Sequence, residues 1–113
     1  MMVKLPWPPR GLWPNYRHHW ASMARAKRNY RSTAWALAKE EGGTMAGRLA
    51  VHLTFCPPDK RRRDMDNMLA AMKAGLDGIS QAIGVDDSLW SLSLRVGDIV
   101  PGGAVYVTLD GAP

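Results

Sequence analysis

The segment LAVHLTFCPPDKRRRDMDNMLAAMKAGLDGISQAIG, residues 49–84, contains a change of period that decides the fold class. In its first part Leu49, Val51, Leu53 and Phe55 alternate with Ala50, His52, Thr54 and Cys56, the period of two that gives a strand one strongly apolar face. Pro57-Pro58 ends the run, because proline offers no N–H to a ladder. From Met65 the period lengthens: Met65, Leu69, Met72, Leu76, Ile79 and Ile83 follow the i, i+4, i+7 series of one helical face, for about five turns. Gly84 supplies the stop. A strand that hands over to such a helix predicts a sheet with a helix packed on it.

Outward from this segment the same two periods recur. Upstream, Val3, Leu5 and Trp7 alternate until Pro6, Pro8 and Pro9 interrupt, which predicts a short edge strand and then an irregular loop to about His19. Met23, Tyr30, Ala34 and Leu37 then return at helical spacing, and Gly42-Gly43 closes a helix over residues 19–41. Downstream, Trp90, Leu92, Leu94 and Val96 alternate, as do Val105, Val107 and Leu109. Pro101-Gly102-Gly103 between these two runs predicts a terminal hairpin. The order is β-α-β-α-β-β, an α+β (α/β-like) arrangement in one domain over residues 1–113. A mixed sheet of about four strands covered by two helices is expected, since each element has one apolar face to bury.

A chain of 113 residues with 46% apolar residues is large enough for one core. Cys56 stands alone, so no intrachain disulfide forms, in keeping with a reducing compartment. No apolar run is long enough to span a bilayer, and MMVKLPWPPR does not read as a secretory signal; the cytoplasm is expected, with no membrane partner. The formal charge is +5 and the pI about 9.8. The cations are clustered, with Arg25, Lys27, Arg28 and Arg31 in one segment and Lys60, Arg61, Arg62 and Arg63 in another, which points to an anionic polymer. Solubility alone accounts for many basic proteins, but here the second cluster adjoins acids.

Those acids carry the chemistry. Asp64 and Asp66 flank Met65, so with Met65 opening the apolar stripe both carboxylates stand at the helix entrance, away from the core. Hard Mg²⁺ takes oxygen ligands, accepts few protein carboxylates and leaves positions for water and phosphate. The bland alternatives stay open: Asp64 as an N-cap, Asp66 as a first-turn anion on the helix dipole, and Asp86-Asp87 as a turn pair. Asp66, Lys73 and Asp77 share one flank, where Lys73 and Asp77 also make an ordinary i, i+4 ion pair. Cys56, His18, His19 and His52 form no zinc-like spacing, and no glycine-rich loop indicates a nucleotide cofactor. Trp13 and Trp20, near the loop, are placed to stack on an exposed base, although packing in the core or an interface explains all five tryptophans more simply.

The run KRRRDMDNMLAAMKAGLDGISQAIGVDD, residues 60–87, resembles the RusA family of Holliday junction resolvases: a basic run, Asp-x-Asp-Asn, a helix bearing Lys and Asp, and an Asp-Asp pair. The opening LPWPP with Asn15 and Arg17 is similar to that family's N-terminus, so the likeness spans most of the chain. It implies a homodimeric endodeoxyribonuclease, commonly encoded by phages or prophages of a bacterial host, that makes paired symmetric nicks in branched DNA, the four-way junction of recombination and repair. Asp64, Asp66 and Asp87 would match its catalytic, metal-holding carboxylates, with Asp86 as neighbour and stand-in. Mg²⁺, one ion or two, would be the cofactor, with Mn²⁺ as a substitute, orienting a water for in-line attack and stabilising the departing 3′ oxygen. Lys73 is the match for its catalytic Lys, displaced by about one helical turn because Ala70 stands where the family spacing puts lysine. DNA would meet Arg17, Arg25, Lys27, Arg28, Arg31, Lys60, Arg61, Arg62, Arg63 and Asn67. The rival reading is a basic DNA- or junction-binding module without catalysis.

Overall fold

Alternation in the sequence becomes register in the sheet. In a computed structural model, which describes residues 1–16 and 19–112, the strands are β1 (Met2–Pro6), β2 (Leu49–Cys56), β3 (Trp90–Val96) and β4 (Ala104–Gly111). They form one sheet in the order β1-β4-β2-β3. Val3 faces Val107, Leu5 faces Val105, Leu53 faces Val107 and Phe55 faces Val105. All of these side chains, with Leu49, Val51 and Leu109, are essentially inaccessible to water. Full burial of each contributes about 1.5–3 kcal/mol relative to exposure, which is why one face of the sheet, and not the other, is covered. The opposite face carries Lys4, His52 and Ser93, all exposed.

Among the described residues three α-helices cover the apolar face: α1 (Trp20–Glu40), α2 (Met65–Ala71) and α3 (Lys73–Ile83). The predicted first helix is therefore present nearly to its ends, with His19 accepting from the backbone N–H of Ala21 as its cap. The second is two segments. At Met72 the N–H bonds back three residues to Leu69 at 3.0 Å, a tightened step that ends α2 before α3 resumes. The buried series is accordingly Met68, Met72, Leu76, Ile79 and Ile83, whereas Met65 is exposed. The expectation that Met65 opens the core stripe is corrected: the stripe starts at Met68, one turn further in. At the other end Gly84 takes φ 77°, a left-handed stop suited to glycine.

Helices α1 and α3 cross closely because α3 presents glycine to α1. A Cβ at Gly75 would lie 2.7 Å from Cε2 of Tyr30, and one at Gly78 would collide with the backbone carbonyl oxygen of Arg31. Tyr30, nearly buried, donates its hydroxyl to Pro6 O at 2.6 Å, and burial pushes its ionisation far above the ordinary tyrosine range.

The terminal hairpin does not form. β3 pairs with β2 in parallel, and β4 lies between β1 and β2, antiparallel to both. The connecting segment instead crosses the end of β2: Gly97 N–H bonds Phe55 O at 2.8 Å and Val100 N–H bonds Pro57 O at 3.0 Å. The chain is one compact α+β domain with a four-stranded mixed sheet, in which β1 and β3 are the edges. Residues 90, 92, 94 and 96 lie on the covered face, opposite Leu49, Val51, Leu53 and Phe55, yet Leu92 is 45% and Val96 52% exposed. The helical layer stops short of β3.

Candidate functional site

Asp64 occupies the N-cap position of α2, where its carbonyl accepts from Met68 N–H at 3.0 Å, but its side chain makes no capping bond. The carboxylate is therefore not used by the helix, as the capping alternative requires. Asp66 lies in the first turn. Neither acid enters an ion pair among the described residues.

The fold brings Asp66, Lys73 and Asp87 into one cleft of about 340 Å³, lined also by Leu69, Ala70, Leu76, Trp90 and Leu92. Lys73 Nζ stands 3.3 Å from Asp77 Oδ1 and 3.3 Å from Asp87 Oδ2. Hydrogen bonding to Asp77 first, and to Asp87 second, raises the ammonium's pKa above its ordinary value. Ala70, four residues after Asp66, lines the same cleft as Lys73. Trp90 Nε1 is buried in this region without a hydrogen-bond partner among the described residues.

The Asp-Asp pair divides its work. Asp86 caps the short 3₁₀ turn Asp87–Leu89, accepting from Ser88 N–H at 3.1 Å. Hydrogen bonds from Ser88 hold its carboxyl below the usual carboxylate range, Lys73 adding a smaller Coulombic part. Asp87, not Asp86, is the member that lines the cleft.

Asp64 lines a second cleft, of about 520 Å³, with Trp7, Pro8, Arg10, Trp13, Asn15, Tyr16, Pro58, Asp59, Arg61, Arg62, Arg63 and Asn67. The basic run is organised there by Asp59, a residue to which the sequence reading assigned no part. It accepts from Arg61 N–H at 2.9 Å and pairs with Arg63 at 2.9 Å. The Arg61 N–H bond first, with the Arg63 bond and the two guanidinium charges, lowers the Asp59 pKa and outweighs the opposing desolvation. The signal was available: an Asp side chain readily accepts from the backbone N–H two residues on, as Asp59 does from Arg61. A third cleft, of about 500 Å³, joins the other two, sharing Trp13 with the aromatic one and Lys73 with the carboxylate one, and it contains Lys27, Arg31 and Asp77. Arg25 and Arg28 stand exposed on α1 outside these clefts, as does Lys60 beside Arg61. Arg17 lies outside the described residues.

Among the described residues no three of the His, Cys, Asp and Glu side chains approach closely enough to form a metal-holding group. The carboxylates that share a cleft are Asp66 and Asp87. A hard-oxygen pair of this kind suits Mg²⁺, which is often held by one or two carboxylates with water and phosphate completing the shell. No helix among the described residues is long and apolar enough to cross a membrane.

No protein-family model matches the chain. An uncharacterized protein of Xylella fastidiosa is 36% identical to it over 115 aligned positions, covering 96% of this chain and 75% of that protein.

Proposed function

The chain belongs to one family with that uncharacterized Xylella fastidiosa protein, and from its own site residues we propose that it is a Mg²⁺-dependent endodeoxyribonuclease of RusA type that nicks four-way DNA junctions. The observation that carries the reading is the meeting of Asp66, Lys73 and Asp87, from two helices and a turn, in one cleft bordered by cationic ones. A mere pair of structural ion bridges needs no Asp66, which enters none of them.

In this reading Asp66 and Asp87 hold the metal, and Asp64, at the entrance of α2, faces the neighbouring cleft rather than joining that pair. Bound Mg²⁺ supplies the means to activate a water and stabilise a departing oxygen. Lys73, protonated at neutral pH as any lysine whose pKa is not depressed, offsets charge on the scissile phosphate. Arg61, Arg62, Lys27 and Arg31 hold the sugar–phosphate backbone along the adjoining clefts. Two copies would match the two-fold symmetry of the junction, and the exposed apolar row of β3, beside the carboxylate cleft, supports an interface there. The setting is the cytoplasm of a bacterial host, with the gene carried by a phage or prophage.

The test is cleavage of a labelled four-way junction and a matched linear duplex, with Mg²⁺ or with EDTA, by wild type and Asp66→Asn. Symmetric, Mg²⁺-dependent junction nicks lost in the variant are expected. Junction binding without cleavage in any metal would instead make the protein a non-catalytic binder.

A further inference from the structure

The 520 Å³ cleft on the far side of Asp64 is more than an extension of the basic surface. Part of its wall is aromatic, and the two tryptophans are held in place. Trp7 and Trp13 lie with centroids 5.8 Å apart at 33°. The edge contact of Trp7 with buried Phe55, at 6.4 Å, anchors one ring to the sheet. The other is tied by Trp13 Nε1, which donates to Pro8 O at 3.0 Å. Arg63 places its guanidinium 5.3 Å from the Trp7 ring centroid and is itself held by Asp59. Tyr16 adds a third ring to the lining, Asn15 and Asn67 add amides, and Arg10, Arg61 and Arg62 stand exposed at the rim.

We propose that this cleft is a binding site for an unpaired nucleobase and its adjoining phosphate within a DNA strand. Half-buried rings held in place offer flat surface at little further ordering cost, and every base has a face that stacks on such surface. Bases inside a duplex have both faces occupied, so the cleft selects one that is out of the stack. The amides of Asn15 and Asn67 can donate to and accept from its edge, while the rim guanidinium groups take the phosphate. Four guanidinium groups face two carboxylates, and Asp59 is already engaged by arginine, which favours a polyanion over an acidic or neutral peptide. The choice of DNA rests on the nuclease reading; the base dependence does not require cleavage.

The experiment is binding in EDTA of three probes to the full chain: a fluorescent thymidine strand of about ten nucleotides, a strand of equal length without bases, and thymidine monophosphate. The thymidine strand is expected to bind about tenfold more tightly than the base-free strand, and the mononucleotide weakly. Trp13→Ala should remove that difference while leaving the base-free strand's affinity unchanged. Trp13→Phe, which keeps a ring face but loses the bond to Pro8, should retain most of it and so separates stacking from loop damage. Equal binding of the two strands by wild type overturns the proposal, as does equal loss for both strands in Trp13→Ala. So does base dependence that survives Trp13→Ala but vanishes in Trp20→Ala, since Trp20 is 75% exposed elsewhere on α1. A mononucleotide bound as tightly as the strand would make this a free-nucleotide site and overturn it as well. Junction cleavage intact with no base dependence removes the cleft alone; base dependence with no cleavage removes the nuclease alone.

Discussion

Lys73 Nζ lies 3.3 Å from Asp87 Oδ2, joining the first residue of α3 to the turn that leads into β3. The bond closes one wall of the carboxylate cleft, and a second bond of the same length to Asp77 holds the ammonium from the helix side. The lysine side chain is nevertheless 69% exposed, so solvent screens both pairs and their effect on stability is small. Position, rather than stability, is what this arrangement provides.

Lys73→Gln should therefore cost less than about 1 kcal/mol in urea unfolding, while junction cleavage falls about 100-fold, the scale seen when one charge-stabilising group is removed. Asp77→Asn removes the companion charge but leaves Lys73 facing Asp87, and its cleavage should stay near wild type. If the two variants behave alike, Lys73 is only a partner in surface ion pairs.

Gly78 sets how closely α1 and α3 approach. A methyl group there meets the carbonyl oxygen of Arg31, which belongs to helix backbone and cannot rotate away. Gly78→Ala should thus destabilise by about 1–3 kcal/mol, despite the better helix propensity of alanine. The melting temperature checks this; an unchanged or raised value would mean that the two helices can part at little cost.

The strands and helices were legible because each rests on neighbours in the sequence: Leu49, Val51, Leu53 and Phe55 alternate and are buried, and Tyr30 and Ala34 repeat and are buried. Pairing was not. Alternation in residues 90–96 and 105–109 identifies two strands without saying which strand each joins, and a glycine turn between them suits a hairpin as well as a crossing loop. What decides it is tertiary, the bonds of Gly97 and Val100 to Phe55 and Pro57. At the site, Asp66 and Lys73 line one cleft, while Asp77, which helical arithmetic puts on the same flank, lines the adjoining one. The partition of Asp64 and Asp66 into different clefts depends on which way the short α2 faces, and the break at Met72 that ends α2 has no proline or glycine to announce it. Trp7 read as a strand residue; its half-buried place beside Trp13 comes from the loop folding back, which no local pattern records.

Acid should unfold the protein partly through Asp59 and Asp86. Both have folded-state pKa values lowered by hydrogen bonds, so each contributes stability that is present above the ordinary carboxylate pKa of about 3.9 and is lost as pH falls through the lower folded value. Asp59→Asn and Asp86→Asn should melt below wild type near neutrality and converge with it at the acid end of a series from about pH 6 to pH 2. Lys73 behaves oppositely: its raised pKa gives a contribution lost only as pH climbs past about 10.4. Parallel melting curves for wild type and the Asp59 variant throughout the acid range would show that Asp59 does not titrate differently on folding.

The edge strand β3 supplies the last prediction. An edge presents unpaired backbone groups, and a protein that remains single usually protects it with charge, proline or a covering segment. Here the side chains on the helical face of β3 are Trp90, Leu92, Leu94 and Val96, while Leu92 and Val96 are about half exposed and Leu89 adds a further 37% exposed apolar side chain just before the strand. A second copy laid against this row would cover it and bring two carboxylate clefts towards one another, since Leu92 and Trp90 line the cleft that contains Asp66 and Asp87. Wild type should sediment as a dimer, and Leu92→Lys with Val96→Lys should sediment as a monomer with its circular dichroism spectrum retained, because neither side chain belongs to the buried core. Junction cleavage by that variant should lose its paired character, giving single nicks. A wild-type protein that stays monomeric at every concentration, or a double variant that stays dimeric, would place the interface elsewhere or remove it.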